Sequence, residues 1–321
     1  MAGYHRAAVE LRKASSVAVC AHVKPDGDAI GSVLALTLAL KDAGIPAVPV
    51  LADAGEPPPS YEFLPGFGLY VSASQLDTPE VFVALDTPNL ERLGCAADLA
   101  RGASTVIVLD HHPDNAEFGS VNVVDSHAAA TGLMVWRLVR ALELEPSPEV
   151  ALCCWVALLT DTGRFAYSNT SPDALRDGAA MLEAGVDAAE AHHMVYENRT
   201  PAALALEARV LSRLATANGG RVAYAWVADE DYPETGAHRW ETEHLVDMVR
   251  TIGDIDVAIL ARVHPGSVRV NLRAKTGFDV SAVARHFGGG GHVAAAGFTY
   301  AGSLEEMLRE VLAELPGGEY E

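Results

Sequence analysis

Short apolar runs recur along the first 185 residues, separated by longer stretches with helical spacing. Val17–Ala21, Ala47–Leu51, Val81–Leu85 and Thr105–Leu109 have the length and composition of buried strands. Ala157–Asp161 reads as a further strand-like run. Ile30–Ala43, Thr131–Leu142, Val150–Leu159 and Pro172–Ala184 carry helix signals. Alternation of this kind predicts a parallel sheet with helices on both faces. Glu56–Ser60, with its three prolines, and Leu64–Gly66 mark loops. Pro201–Leu214 reads as a helix opened by proline. Beyond Asn218-Gly-Gly220 the pattern changes to strands at Val222–Val227, Val257–Arg262 and Val268–Arg273, with a helix over Thr242–Thr251. The expected architecture is α/β, a parallel sheet flanked by helices over 1–185. A helical connector over 186–218 and a smaller α+β domain with a mixed sheet over 219–321 follow.

The polar residues that close these runs supply the chemistry. The first run leads to His22, then Asp26, Gly27 and Asp28. Val81–Leu85 leads to Asp86, Thr105–Leu109 to Asp110, His111 and His112, and Ala157–Asp161 ends on Asp161. Open α/β sheets bind ligands outside the carboxyl ends of their strands. Carboxylates gathered there repel one another unless cations are present, and two divalent metals are the natural filling. Singly, each residue has a plainer reading: Asp28 as a helix cap, His22 as a core histidine, Asp86 and Asp161 as turn residues. Together, with Gly31 and Ser32 opening the next helix, they favour ligation. Asp110 is expected to orient a ligand histidine. Mixed imidazole and carboxylate donors suit Mn2+, with Mg2+ or Co2+ as substitutes; zinc fits less well, since no cysteine joins the cluster.

Charge narrows the partner. The formal net charge is −20, which argues against a long basic groove for duplex nucleic acid but not against a small anionic substrate. Between Arg262 and His292 the balance reverses: Arg262, Arg269, Arg273, Lys275 and Arg285 face only Asp279, and His264, His286 and His292 lie among them. A solvated charge cluster is the plain reading. The adjacent run Gly288–Gly291 shifts it toward a ligand-binding segment. Cys20, Cys95, Cys153 and Cys154 form no CxxC pair, a reduced, cytosolic pattern. No apolar run is long enough to span a membrane, and the N-terminus lacks a signal-peptide core, so a cytoplasmic location is expected. A homodimer is compatible with the sequence.

These motifs resemble the DHH phosphoesterase family. His22 through Ser32 resembles its first motif, Asp86 the second and Asp110-His111-His112 the third. Leu159 through Phe165, with Asn169 and Thr170, resembles the fourth, and Phe287 through Gly297 the GGGH motif of the DHH-associated C-terminal domain. The resemblance covers nearly the whole chain. Its length and motif order resemble those of the nano-RNase branch, whose members cleave short oligoribonucleotides and dephosphorylate 3′-phosphoadenosine 5′-phosphate. Full-length RecJ exonucleases are longer and carry a further domain.

The resemblance implies two metals. His22, Asp26 and Asp86 would hold one; Asp28, Asp86, His111 and Asp161 the other, with Asp86 bridging. His112 would face the scissile phosphate and act with Asp110 as the catalytic pair. Arg273 would grip a substrate phosphate, and Gly289, Gly290, Gly291 and His292 would bind the substrate through a loop, in a cleft between the domains. The expected activity is Mn2+-dependent release of nucleoside 5′-monophosphates from very short RNA, dinucleotides included, with a second activity on 3′-phosphoadenosine 5′-phosphate. Cyclic or linear dinucleotide phosphodiesterase, RecJ-like single-strand exonuclease and non-catalytic nucleotide-binding regulator are the alternatives. Family II pyrophosphatase shares the first-domain motifs but lacks GGGH.

Overall fold

The computed structural model describes residues 2–242 and 244–318. The chain divides into two compact units, Met1–Asn198 and Arg199–Glu321.

The first unit is built on a six-stranded sheet. In chain order it contains α1 (Ala2–Lys13), β1 (Val17–Cys20), α2 (Gly27–Asp42), β2 (Ala47–Leu51), β3 (Val71–Ser72), β4 (Val81–Leu85), α3 (Ala97–Gly102), β5 (Thr105–Asp110), β6 (Val121–Val124), α4 (Thr131–Ala141), α5 (Pro148–Asp161), α6 (Pro172–Glu183) and α7 (Ala188–His192). The strand order is β3-β2-β1-β4-β5-β6, and every neighbouring pair is parallel. Side chains alternate across a strand. Val17, Val19, Val83, Leu85, Ile107 and Leu109 therefore pack into one core with Leu34, Leu133 and Val156. Ala18, Cys20, Phe82, Ala84 and Val108 pack on the other face with Leu93, Leu99 and Ala100. Burial on both faces explains why these strands are apolar throughout. The order reverses between β1 and β4, and the crevice outside the carboxyl ends at such a reversal is where ligands bind in these sheets.

One sequence expectation fails here. Ala157–Asp161 is the last turn of α5, and Asp161 is delivered by a helix rather than a strand. Val150 through Leu159 are buried almost without interruption, so α5 shows no polar stripe that would mark it as helical near its end. It lies close against α2: a Cβ on Gly31 would come 2.5 Å from the Cys153 carbonyl oxygen. That approach sets the position of Asp161 relative to Asp28.

The second unit comprises α8 (Pro201–Leu211), β7 (Ala215–Ala217), β8 (Val222–Ala228), α9 (Asp231–Thr235), α10 (Leu245–Arg250), β9 (Val257–His264), β10 (Ser267–Ala274), α11 (Val280–His286), β11 (Gly290–His292), β12 (Ala295–Ala301) and α12 (Leu304–Ala313). Its sheet runs β11-β12-β10-β9-β8-β7 and is mixed, since β8 and β9 are parallel and the other pairs antiparallel. Leu206 and Val210 of α8 pack with Val227, Leu245 and Val249, so that helix belongs to this unit. The stretch read as a connector, 186–218, is thus shared between the two units. Of the helix read over Thr242–Thr251, Leu245–Arg250 is helical and Glu243 lies outside the described residues. The alanine-rich segment after His292, helix-like by composition, is the strand β12, paired along its length with β10. Among the described residues no helix is long and apolar enough to cross a membrane.

Candidate metal centre

The first ligand turn is held by its own backbone. Asp26 caps α2, its carboxylate accepting the Ala29 N–H at 3.1 Å. Asp28 follows in the first turn and is 1% exposed. Its carboxylate accepts the Ser32 hydroxyl at 2.9 Å, the Thr131 N–H at 2.7 Å and the Gly132 N–H at 2.8 Å. The last two are unsatisfied donors at the start of α4, so that helix's N-terminus is aimed at the carboxylate. Asp86 leaves β4 with φ +51°, a left-handed conformation that costs a non-glycine residue about 1–3 kcal/mol. It is buried, and its Oδ1 accepts the Thr131 hydroxyl at 3.2 Å.

Both buried imidazoles turn the same nitrogen inward. His22 Nδ1 donates to the Val23 carbonyl at 2.8 Å, and His111 Nδ1 to the Ala128 carbonyl at 3.1 Å. That turns Nε2 of each ring toward the carboxylates, where it could ligate a metal. His22 Nε2 lies 3.4 Å from Asp86 Oδ2 and 3.9 Å from Asp26 Oδ1. His111 Nε2 lies 3.4 Å from Asp86 Oδ1, 3.8 Å from Asp28 Oδ2 and 3.8 Å from Asp161 Oδ2. The donor atoms of His22, Asp26 and Asp86 fall within 4.8 Å of one another, as do those of Asp28, Asp86 and His111. Asp86 belongs to both groups, one oxygen toward each imidazole.

Asp110 plays a different part. It is fully buried; its Oδ1 accepts from the His111 backbone N–H at 2.9 Å and from His112 Nδ1 at 2.8 Å, while Oδ2 accepts from Asn115 at 2.6 Å. It therefore orients His112 and fixes the proton on Nδ1.

The electrostatics are those of a site built around missing positive charge. Burial, with Asp86 and Asp161 nearby, pushes Asp28 well above the usual carboxylate range. Burial, with Asp26 and Asp86, raises Asp161 to about 6. Burial opposes a charged His22, yet the hydrogen bond to Asp86 and the charges of Asp26 and Asp86 raise it to about 9. In His111 burial likewise loses to Asp161 and Asp86, and the ring is raised well above its ordinary value. Asp86 is held well below the usual range: burial acts against this, but hydrogen bonds from His111 and His22 prevail. Divalent cations would take over the role of these protons. The oxygen and imidazole donors fit Mn2+ or Mg2+ chemistry.

In the second unit Arg273 lies on β10, its Nε 3.6 Å from Asp247 Oδ1 and without a hydrogen-bond partner. The expected glycine loop is instead partly strand: Gly290–His292 form β11, paired with β12. A Cβ on Gly291 would meet the Ala295 carbonyl oxygen at 2.5 Å, and one on Gly289 the Phe298 Cβ at 2.5 Å. Those two glycines have a packing reason, and Gly290, open on its Cβ side, is the one left for a ligand to approach. Much of the surrounding positive charge is used internally: Arg262 binds Thr242, Lys275 the Ile252 carbonyl, and His264 sits 2.8 Å from Asp229.

Residues 16–158 match the model of the DHH family, N-terminal domain, and residues 219–316 the DHHA1 domain. Over 324 aligned residues the chain is 34% identical to the bifunctional oligoribonuclease and PAP phosphatase NrnA of Thermus thermophilus, covering 98% of this chain and 95% of that protein. This chain belongs to the DHH family. Its fold matches that of an exopolyphosphatase-related protein from Bacteroides fragilis, with a TM-score of 0.89 at 23% identity over 98% of this chain and 95% of the other. RecJ of Thermus thermophilus, solved in complex with Mn2+, has the same fold at a TM-score of 0.54 and 18% identity, over 97% of this chain and 53% of its own.

Within this DHH domain the structure brings His22, Asp26, Asp28, Asp86, His111 and Asp161 together around the ends of β1, β4, β5 and α5. Thr131 and Asn115 went unmarked in the sequence. Thr131 opens a recognisable helix, and a hydroxyl residue in that place is the signal that it satisfies something. Asn115 carries no such signal.

Proposed function

We propose that this DHH protein is a Mn2+-dependent phosphoesterase that releases nucleoside 5′-monophosphates from very short oligoribonucleotides and dephosphorylates 3′-phosphoadenosine 5′-phosphate. Hydrolysis of phosphoester bonds follows from the family and from relatives such as NrnA. The observation that carries the reading is Asp86 placed between two imidazoles, with one oxygen 3.4 Å from each. His22, Asp26 and Asp86 would hold one cation; Asp28, Asp86, His111 and Asp161 the other. Such a pair supplies an activated water and a clamp on the phosphoryl oxygens. Asp110 holds His112 by Nδ1; burial opposes a charged ring, but Asp110 and Asp86 favour the imidazolium, and it is this doubly protonated form whose Nε2 hands a proton to the departing oxygen. Arg273, Gly290 and His292 take a phosphate or the terminal nucleotide, and a phosphate on Arg273 replaces its loose pairing with Asp247.

The test is a rate comparison in Mn2+, before and after chelation. The substrates are two- to twenty-nucleotide RNAs, 3′-phosphoadenosine 5′-phosphate, linear and cyclic dinucleotides, and pyrophosphate. The expected order puts two- to five-nucleotide RNA and 3′-phosphoadenosine 5′-phosphate first. Efficient digestion of the twenty-nucleotide strand would move the reading to a RecJ-like exonuclease. Preference for cyclic dinucleotides would move it to their phosphodiesterases. Arg273→Ala should raise KM for dinucleotides with metal content unchanged; equal loss on a small chromogenic phosphodiester would show a supporting role instead.

A further inference from the structure

Among the described residues the Arg92 side chain makes no hydrogen bond or ion pair. Arg92 sits in the 3-10 helix Leu90–Ala96, which follows Asp86 at the carboxyl end of β4. Its backbone is fully employed. The Arg92 N–H donates to the Asn89 side chain at 3.1 Å, and its carbonyl accepts the Val23 N–H at 2.8 Å. Those bonds tie the loop after β4 to the loop after β1, beside His22, and any residue could make them. The guanidinium is another matter. Its Nε is buried without a hydrogen-bond partner, and among the described residues no carboxylate pairs with it. Burying part of a cation unpaired is costly, and a fold gains nothing from keeping it.

The segment is nevertheless built to hold Arg92 in place. The helix is broken at Gly94, which adopts φ +48° and ψ −122°. A side chain there would strike the Ala52 carbonyl oxygen and come 2.6 Å from Val23 Cγ1. The turn carrying Arg92 is therefore clamped between the β1 and β2 loops, at the reversal of strand order where β1 and β4 meet.

We infer that Arg92 binds a phosphate group of the substrate at the edge of the metal centre, a subsite for an anion formed by the loop after β4. The inference rests on the phosphoester reading above. A guanidinium presents paired N–H donors that match two phosphoryl oxygens, whereas a lysine presents a point charge. The neighbouring carboxylates already face histidines and would hold the cations, so an incoming phosphate is the natural counter-charge for Arg92.

The experiment compares wild type, Arg92→Ala and Arg92→Lys, all loaded with Mn2+. It reads kcat and KM on 3′-phosphoadenosine 5′-phosphate and a dinucleotide, inorganic phosphate binding by calorimetry, metal content and melting temperature. Arg92→Ala should raise KM and weaken phosphate binding by about ten- to a hundredfold, the loss of one charged hydrogen-bonded contact. Metal content, melting temperature and kcat should stay near wild type, and Arg92→Lys should recover part of the affinity. Unchanged KM and unchanged phosphate binding in Arg92→Ala would overturn the assignment. A fall in metal content or melting temperature that accounts for the kinetic loss would overturn it too, by showing a supporting role. A wild type that hydrolyses none of the phosphoesters would refute the functional reading instead, and phosphate binding would still decide the role of Arg92.

Discussion

Asp86 concentrates three demands on one residue: a left-handed backbone, complete burial and a carboxylate facing two imidazoles. Asparagine tolerates that backbone nearly as well but cannot neutralise two cations. Asp86→Asn should therefore fold and lose turnover, with metal occupancy reduced at both positions. Retention of one metal at full occupancy would show that Asp86 does not bridge. His112 separates differently, because its short contact is to Asp110 at 2.8 Å, with Asp86 farther away at 3.6 Å. His112→Ala should keep its metal and slow catalysis by about 10²–10⁴-fold, the usual contribution of a positioned acid or base. Metal analysis beside single-turnover kinetics distinguishes the two, and an apo His112→Ala protein would sink the assignment. These residues were readable because each closes an apolar run. Arg92 was not, because nothing in a sequence shows that a guanidinium lacks a partner.

Among the elements, the strands were the most legible and α5 the least. β1, β4 and β5 are short and apolar and lead into the candidate ligand residues, as their pattern indicates. The end of α5 is apolar because it is enclosed, and enclosure erases the period that distinguishes helix from strand. β12 shows the opposite case. Ala295 and Ala296 favour helix locally, but pairing with β10 and β11 overrides that preference. The contact of α2 with α5 was invisible in the sequence, although Gly27 and Gly31, which permit it, were noticed as turn and motif residues. Gly31→Val should force the helices apart against the Cys153 carbonyl and the Ala157 side chain. Overpacking of this kind costs about 1–3 kcal/mol, read as a drop of several degrees in melting temperature. Because Asp28 and Asp161 ride on these helices, metal affinity should fall with it. A variant with wild-type melting and metal binding would show that the close approach is dispensable.

At the scale of the molecule, the two units meet acid differently. Asp231 in the second unit is fully buried between Arg209 and Arg213. Burial would raise its carboxyl, but hydrogen bonds from Arg213, the Ala228 N–H and Arg209 lower it below its ordinary value. A carboxyl lowered in the folded state stabilises it above the unfolded value of about 3.9, and that stability is lost as pH falls through the folded value. The second unit should therefore keep its stability down to about pH 4 and lose this contribution below it. Asp231→Asn should remove the pH dependence and lower stability by about 2 kcal/mol, discounted from a fully buried pair because both arginines are partly exposed. Thermal melts followed by Trp226, which Arg213 overlies at 5.7 Å, report on this site, and an unchanged acid limb in Asp231→Asn would refute it. The first unit places its titrating groups at the metal centre, and their order along the chain has a consequence for synthesis. The donors emerge as His22, Asp26, Asp28, Asp86, His111 and finally Asp161 at the end of α5. A growing polypeptide folds from its N-terminus as it leaves the ribosome. No nascent chain that stops before Asp161 can supply the whole of the second proposed ligand group, so both cations would be captured only once α5 is made, with α6 and α7 of the same unit still to follow.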